Sequence, residues 1–467
     1  MNKIVLTALL SLSAAVVGPF TFAASKPNVL FIAVDDLRPE LGCYGVKEIQ
    51  SPRIDQLAAS GVRFDRAYTQ VPVCGSARAS LMTGLRPTAQ RFSGSYDTRA
   101  DKETPGVPDL AGWFKQHGYL TFGSGKIYHH KTDNAASWTA FGHPIITKPD
   151  FLDFKVKENF PAEGETGWGM SHEAADVPDA EYNQHQQATA AIERFKEIKA
   201  SGRPGFVALG LTKPHLPFVA PKKYWDLYDR DAIPPSPNPF RSKGAPNQSV
   251  HNFGELRNYR DVPDGNTPVP PELVKTLRHG YYACVSFVDA QIGRVLDALE
   301  ELGLRENTIV VLWSDHGYFL NDHAMWCKHA LYSRAMRVPL IISGPGATRG
   351  AASPALVELV DLFPTLCDLA GLPKPGHLEG SSMAPLLAQP DRPWKSAAFS
   401  RWFAGASLIT DRYTYAEWPK GPRMLYDLQR DPFETENIAD TPDGRAIADE
   451  LSAKLAAGWQ PVAAEVP

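Results

Sequence analysis

Three stretches of the chain are apolar without a break and then stop at charge. They are Asn28-Val-Leu-Phe-Ile-Ala-Val-Asp35-Asp36, Phe206-Val-Ala-Leu-Gly-Leu-Thr-Lys213-Pro-His215-Leu-Pro-Phe and Thr308-Ile-Val-Val-Leu-Trp-Ser-Asp315-His316-Gly317. Runs of this length, rich in branched residues, predict strands buried on both faces in a parallel sheet. Between them, Pro108 to Gly123 predicts a helix stopped by glycine and running into a strand, which ends at Gly125-Lys126-Ile-Tyr-His129-His130. Apolar positions three and four apart predict helices over Tyr281–Gly303 and Val357–Ala370 that cover the sheet. From about Ser396 the pattern changes to short strands, Ser407-Leu-Ile-Thr, Tyr413-Thr-Tyr-Ala-Glu-Trp and Met424-Leu-Tyr-Asp-Leu, followed by a helix from about Gly444 to Trp459. The fold class is therefore α/β: a mostly parallel sheet sandwiched by helices, with a smaller C-terminal antiparallel α+β subdomain. The expected division is 25–390 for the main domain and 391–467 for the subdomain.

The ends of these strands carry the chemistry. In open α/β sheets ligands gather at the carboxyl ends of strands, so Asp35, Asp36 and Asp315 should meet at one edge. Each acid alone reads as a turn or helix-capping residue; together they repel unless a cation lies between them. Oxygen ligation favours a hard ion, calcium before magnesium, while His316 keeps manganese or zinc open. Basic residues recur at the same edge: Lys126 and His129 after one strand, His215 in a proline-stiffened loop after another, and Lys328 in Trp326-Cys-Lys328.

Val71-Pro-Val-Cys74-Gly-Ser76-Ala-Arg78-Ala-Ser-Leu-Met-Thr83-Gly84 sets a cysteine one turn ahead of an arginine at a predicted helix start. Unpaired N–H groups there stabilise an anion, so Cys74 reads as an activated nucleophile. Five cysteines, an odd number, leave at least one thiol without an internal partner, and Cys74 is the natural one; no specific disulfide is predicted.

A formal net charge of −4 gives no general attraction to nucleic acid. Met1 to Ala24 reads as a secretory signal, with Lys3, an apolar run from Ile4 to Val17 and small residues at Thr21-Phe-Ala-Ala24. The expectation is a periplasmic or secreted protein with no stable membrane insertion. Phe92–Arg99, Asp150–Ala175 and Asp231–Pro271 have little periodicity and are the expected substrate loops.

Taken in order, Asp35-Asp36, Cys74-x-Ser-x-Arg78, Gly125-Lys126-Ile-Tyr-His129, Lys213-Pro-His215-Leu-Pro-Phe, Asp315-His316-Gly317, Trp326-Cys-Lys328 and the late stretch Leu425-Tyr-Asp-Leu-Gln-Arg-Asp-Pro-Phe-Glu resemble the type I sulfatases, and within them the iduronate-2-sulfatase branch. The resemblance implies an alkaline-phosphatase-like fold and hydrolysis of sulfate esters on a carbohydrate, with a 2-O-sulfated uronate at a chain end the first choice. It implies that a maturation enzyme oxidises Cys74 to Cα-formylglycine, and that Asp35, Asp36, Asp315 and His316, with residue 74, hold one Ca2+. It further implies that Arg78 orients the hydrate, that Lys126, Lys328 and His215 neutralise the sulfate, and that His129 or His215 moves the proton. Arg99, His130 and Lys148 are candidates for a uronate carboxylate. Phosphate or phosphonate esters on the same scaffold, or a neutral sugar sulfate, are the alternatives. Ser76-Ala77 stands where the family usually has a Pro-Ser pair, which leaves open which maturation enzyme acts.

Overall fold

The computed structural model describes residues 26–142 and 151–466. The signal expected over Met1–Ala24, and Lys148, lie outside the described residues. Nine strands build the main sheet: β1 (Asn28–Val34), β2 (Val62–Tyr68), β3 (Leu120–Gly125), β4 (Ala140–Gly142), β5 (Gly205–Leu211), β6 (Thr308–Ser314), β7 (Arg337–Val338), β8 (Leu340–Ser343) and β9 (Ala351–Glu358). The order is β7-β2-β8-β6-β1-β5-β3-β4, with β9 also paired to β2. Strands β4, β3, β5, β1 and β6 are all parallel, in register from Val29 opposite Phe206 to Val34 opposite both Leu211 and Ser314. The sheet becomes antiparallel at β8, and β7 and β8 pair with opposite ends of β2 on either side of Pro339. Proline cannot donate to the ladder, so one edge of pairing is split in two at that residue.

The continuous apolar runs have a simple cause. Leu30, Ile32 and Val34 of β1 belong to one buried cluster with Val310 and Leu312 of β6, whereas Val29, Phe31 and Ala33 belong to another with Val311 and Trp313. Both faces of the central strands are thus packed, and no alternation survives. On the first face lie α1 (Pro52–Ala59), α4 (Asn183–Ser201) and α5 (Pro271–Glu301); on the second lie α2 (Cys74–Thr83), α3 (Leu110–Gln116) and α6 (Leu362–Leu369). Helix α3 starts where Asp109 accepts from the Gly112 N–H at 2.8 Å, a side-chain N-cap.

Two expected helices differ in extent. Helix α5 begins at Pro271, ten residues before Tyr281, because Gly280 does not break it: a Cβ there would lie 2.7 Å from Trp225, so the glycine admits the indole. Over Val357–Ala370 the chain is first the end of β9, then a short 3-10 turn (Leu359–Asp361), and only then α6. Glu358 and Asp361 cap each other's backbone N–H groups, which sets the later start. Strands β2, β8 and β9 were not resolved by pattern; β2 alternates buried and half-buried residues, and its charged positions mask it.

The C-terminal part is a four-stranded antiparallel meander, β10 (Ala397–Trp402), β11 (Gly405–Thr410), β12 (Tyr413–Glu417) and β13 (Arg423–Asp427), followed by α7 (Pro442–Ala457). One face packs on α7 through Leu408, Tyr415 and Leu451, and the other on the main domain through Ile409, Met424 and Tyr332. Beneath this junction Glu358 takes both guanidinium nitrogens of Arg86 at 2.6 Å, the Lys395 ammonium at 2.7 Å and the Phe399 N–H at 2.9 Å, all buried. Removing one member leaves uncompensated charge in a dry site. Glu358→Ala is expected to lower unfolding free energy by about 3–5 kcal/mol; chemical denaturation checks this, and a loss below about 1 kcal/mol would show that the cluster does not tie the two parts together.

Candidate active site

The parallel strands end on a common edge, and the first residues beyond them meet. Asp35 and Asp36 follow β1, Lys126 follows β3, the Lys213–Phe218 loop follows β5, and Asp315 and His316 follow β6. Asp36 has a positive φ of 59°, a conformation that aspartate tolerates better than most residues and that turns the chain sharply at the strand end. Beyond β2 the chain runs to Cys74, the first residue of α2, all ten residues of which are buried.

Arg78, one turn further along α2, joins the strand ends. Its Nε donates to Asp315 Oδ2 at 2.9 Å, one terminal nitrogen donates to Asp35 Oδ1 at 2.8 Å, and the other donates to the carbonyls of Lys126 and Ile127. Each guanidinium nitrogen is thus engaged in fixing acids and backbone. The Lys126 ammonium reaches Asp35 Oδ2 at 2.5 Å. Although burial opposes its charge, Lys126 and Arg78 hold the Asp35 carboxyl well below the usual carboxylate range. Asp36 goes the other way: burial pushes its carboxyl up despite His215 and Lys328 nearby.

His316 Nδ1 lies 2.9 Å from the Gly317 carbonyl, which places its proton there and leaves the Nε2 lone pair inward. That lone pair faces Cys74 Sγ at 3.2 Å, Asp36 Oδ1 at 3.4 Å and Asp315 Oδ2 at 3.7 Å. A lone pair and carboxylate oxygens aimed at one point repel unless a cation occupies it, so this donor set fits a divalent ion. Candidate ligand atoms fall in two overlapping groups within 4.8 Å of one another: Asp35, Asp36, Cys74 and His215, and Cys74, Asp315 and His316. His215, expected at this edge as a sulfate-facing group, thus borders the same point as the candidate ligands.

Burial, with Asp35 and Asp315 alongside, raises the Cys74 thiol well above its ordinary value even though Lys126 and Lys328 oppose the shift.

Lys328 Nζ lies 3.1 and 3.2 Å from the Asp36 oxygens and 2.9 Å from Glu255. His215 Nε2 lies 2.8 Å from Glu255 Oε1 and 3.8 Å from Asp36. His129 stands apart from the acids, its ring 5.7 Å from that of Tyr96 and its Nδ1 without a partner; burial and Lys126 keep it neutral. Glu255 and Tyr96, whose hydroxyl donates to Glu255 at 2.9 Å, were missed. Glu255 sits in the aperiodic Asp231–Pro271 stretch, where no motif marks one acid among several.

Lys126, His129, His215, Glu255 and Tyr96 line a cavity of about 870 Å³, behind which the acids, Cys74 and Lys328 are buried. The three expected substrate loops all reach it, through Gly94–Asp97, through Phe151 and Trp168, and through His251–Glu255 with Asn258. So does the subdomain, through Trp402 and Phe403, which no motif marks. Of the proposed carboxylate binders, Arg99 is paired with Asp101 at 2.6 Å away from the cavity, and His130 packs edge-on against His129; the exposed Lys131 lines the cavity instead.

Comparison with known proteins decides the family. The Sulfatase family profile matches residues 27–372, most of the chain. The protein belongs to the sulfatases. Residues 321–460 of this sulfatase also match the profile described as N-sulphoglucosamine sulphohydrolase, C-terminal. It is 35% identical over 390 residues to iduronate 2-sulfatase of Mus musculus, covering 76% of this chain and 70% of that one. It is 32% identical over 451 residues to a sulfatase of Formosa agariphila, covering 92% and 86%. Among solved structures, a phosphonate monoester hydrolase from Silicibacter pomeroyi superposes with a TM-score of 0.76 at 24% identity over 93% of this chain and 96% of that one, a likeness of fold. A 2-O GAG sulfatase superposes with a TM-score of 0.68 at 25% identity over 94% and 93%. The sulfatase is thus a type I sulfuric ester hydrolase on an alkaline-phosphatase-like fold, most like iduronate-2-sulfatase.

The donor set makes a direct prediction. Asp315→Asn removes one candidate metal ligand and one partner of Arg78, so bound divalent metal per chain should fall, and sulfate release should drop about 10²–10³-fold. Elemental analysis of the purified variant checks this; wild-type metal content would remove Asp315 from the set.

Proposed function

We propose that the enzyme is an exported sulfatase of sulfated carbohydrate, acting through an oxidised residue 74 beside one calcium ion. The observation that carries this reading is the position of Cys74, with acids and an imidazole on one side and Lys126, Lys328 and His215 around it, buried behind a sugar-sized cavity that Lys126 and His215 line. Likeness to iduronate 2-sulfatase and to a 2-O GAG sulfatase supports the carbohydrate class and makes a 2-O-sulfated uronate the first choice. Export rests on the Met1–Ala24 signal; among the described residues no helix is long and apolar enough to cross a membrane.

Oxidation of the Cys74 thiol by a maturation enzyme supplies an aldehyde, whose hydrate offers one hydroxyl to attack sulfur and a second to expel sulfate afterwards. Asp35, Asp36, Asp315 and His316 would hold the calcium ion, which would supply Lewis acidity at the sulfate. The chain does the rest. Arg78 locks Asp35 and Asp315 in place, so the acids need not reorganise as charge moves. Lys126 and Lys328 face the sulfate oxygens as fixed cations. His215, anchored through Nδ1 to the Leu216 carbonyl at 2.7 Å, presents Nε2 to the sugar oxygen that leaves. His129, neutral with an unpaired ring nitrogen, is the second group able to take or give that proton.

Two outcomes test this. Cys74→Ala should fold normally and release sulfate at least about 10³-fold more slowly, and mass spectrometry of the wild-type peptide should show CHO in place of CH2SH at residue 74. An unmodified cysteine in a fully active enzyme would overturn the mechanism, and release of phosphate rather than sulfate from matched esters would assign the site to phosphorus chemistry. For the substrate, Lys131, an exposed cation in the cavity lining, supports a uronate carboxylate. kcat/KM for a 2-O-sulfated uronic acid disaccharide should exceed that for its carboxyl-reduced counterpart by about 1.5–3 kcal/mol in transition-state free energy; equal values would point to a neutral sugar sulfate.

A further inference from the structure

One wall of the cavity is a continuous run of rings. The Lys328 ammonium lies over the Tyr96 ring at 5.9 Å, Tyr96 meets His329 edge-on at 5.3 Å, His329 meets Trp402 at 6.0 Å, and Trp402 meets Phe403 at 5.3 Å. All four rings line the cavity, so the run leads from Tyr96, which covers the buried Lys328, to the outermost residue, Phe403.

Phe403 is the anomaly in this run. It is the first residue of the two-residue turn between β10 and β11, where Trp402 pairs with Gly405, and its φ is +49°. That position favours glycine or asparagine, and a bulky residue there costs about 1–3 kcal/mol. Its ring is also 51% exposed, so the strain is not offset by burial in a core. The turn is nevertheless held in place: the Phe403 N–H donates to the Ser93 carbonyl at 2.6 Å, and Gly94, at φ +126°, lets the Trp402 indole approach to where a Cβ would lie only 2.7 Å from it. A strained, exposed aromatic on an anchored turn at the edge of a binding cavity is a feature the fold does not need.

We infer that Trp402 and Phe403 form a second sugar subsite, stacking a pyranose ring attached to the ring that carries the sulfate. Pyranoses present apolar C–H faces that pack on aromatic rings, while their hydroxyls stay toward water. The cavity, at about 870 Å³, is near the upper end of the roughly 300–1,000 Å³ typical of ligand pockets and has room for more than one such ring. The preferred substrate is accordingly an oligosaccharide of at least two rings. The inference rests on the sulfatase reading above.

The test compares wild type, Phe403→Gly and Phe403→Trp on a 2-O-sulfated uronic acid and on a glycosaminoglycan-derived disaccharide bearing the same sulfated ring. Wild type should favour the disaccharide in kcat/KM by about tenfold, and Phe403→Gly should lower that ratio by a similar factor. Phe403→Trp should keep the preference. Because glycine suits the turn, Phe403→Gly should melt no lower than wild type, which separates a binding role from a structural one. No preference in the wild type, or equal losses on both sugars in Phe403→Gly, would overturn the subsite. If the wild type releases sulfate from neither sugar, the substrate reading has failed instead. The subsite is then decided by tryptophan fluorescence during titration with the desulfated disaccharide: a saturable change in wild type that Phe403→Gly loses supports it, and none in wild type overturns it.

Discussion

The pairing of Arg78 with Asp315 and Asp35 is the interaction on which the rest of the site depends. Two strands buried on both faces deliver carboxylates to the same dry edge, where charges of one sign cannot coexist without compensation. A guanidinium solves the problem geometrically, because its nitrogens lie in one plane and each can serve a different strand end. Lysine would neutralise one charge but could not bridge both acids and two carbonyls at once. Once the acids are fixed, the positions of residue 74 at the start of the same helix and of His316 across from it follow from backbone geometry.

The same logic of shared counter-charge recurs away from the chemistry. Glu358, Arg86, Lys395 and Asp361 form a second buried cluster, and it fastens the subdomain to the end of β9. That attachment matters for the cavity, since the β10–β11 turn reaches its mouth only if the meander is held at this angle. The rigid sheet edge supplies reactive groups, and the loops and turn around it supply shape.

How much of this could be read from sequence varies with the kind of signal. The strands β1, β5 and β6 were legible because burial on both faces leaves unbroken apolar runs, and the acids and bases at their ends were legible because strand direction brings them together. Strand β2 was not, since its charged positions suit one half-exposed face. The first ten residues of α5 lay outside the helix expected from Tyr281, and Gly280 within them is a contact with Trp225. Glu255 and Phe403 were invisible for another reason: one is an ordinary acid in an aperiodic loop and the other an ordinary aromatic in a meander, and only tertiary contact distinguishes them from their neighbours.

The depth of helix α2 sets an order of events. Residue 74 has no exposed surface and lies at the end of a helix whose every residue is covered, so no second protein can reach it after the chain has closed. The oxidation on which the proposed chemistry depends therefore belongs to the interval before folding, when the segment from Val71 to Arg86 is still extended and accessible.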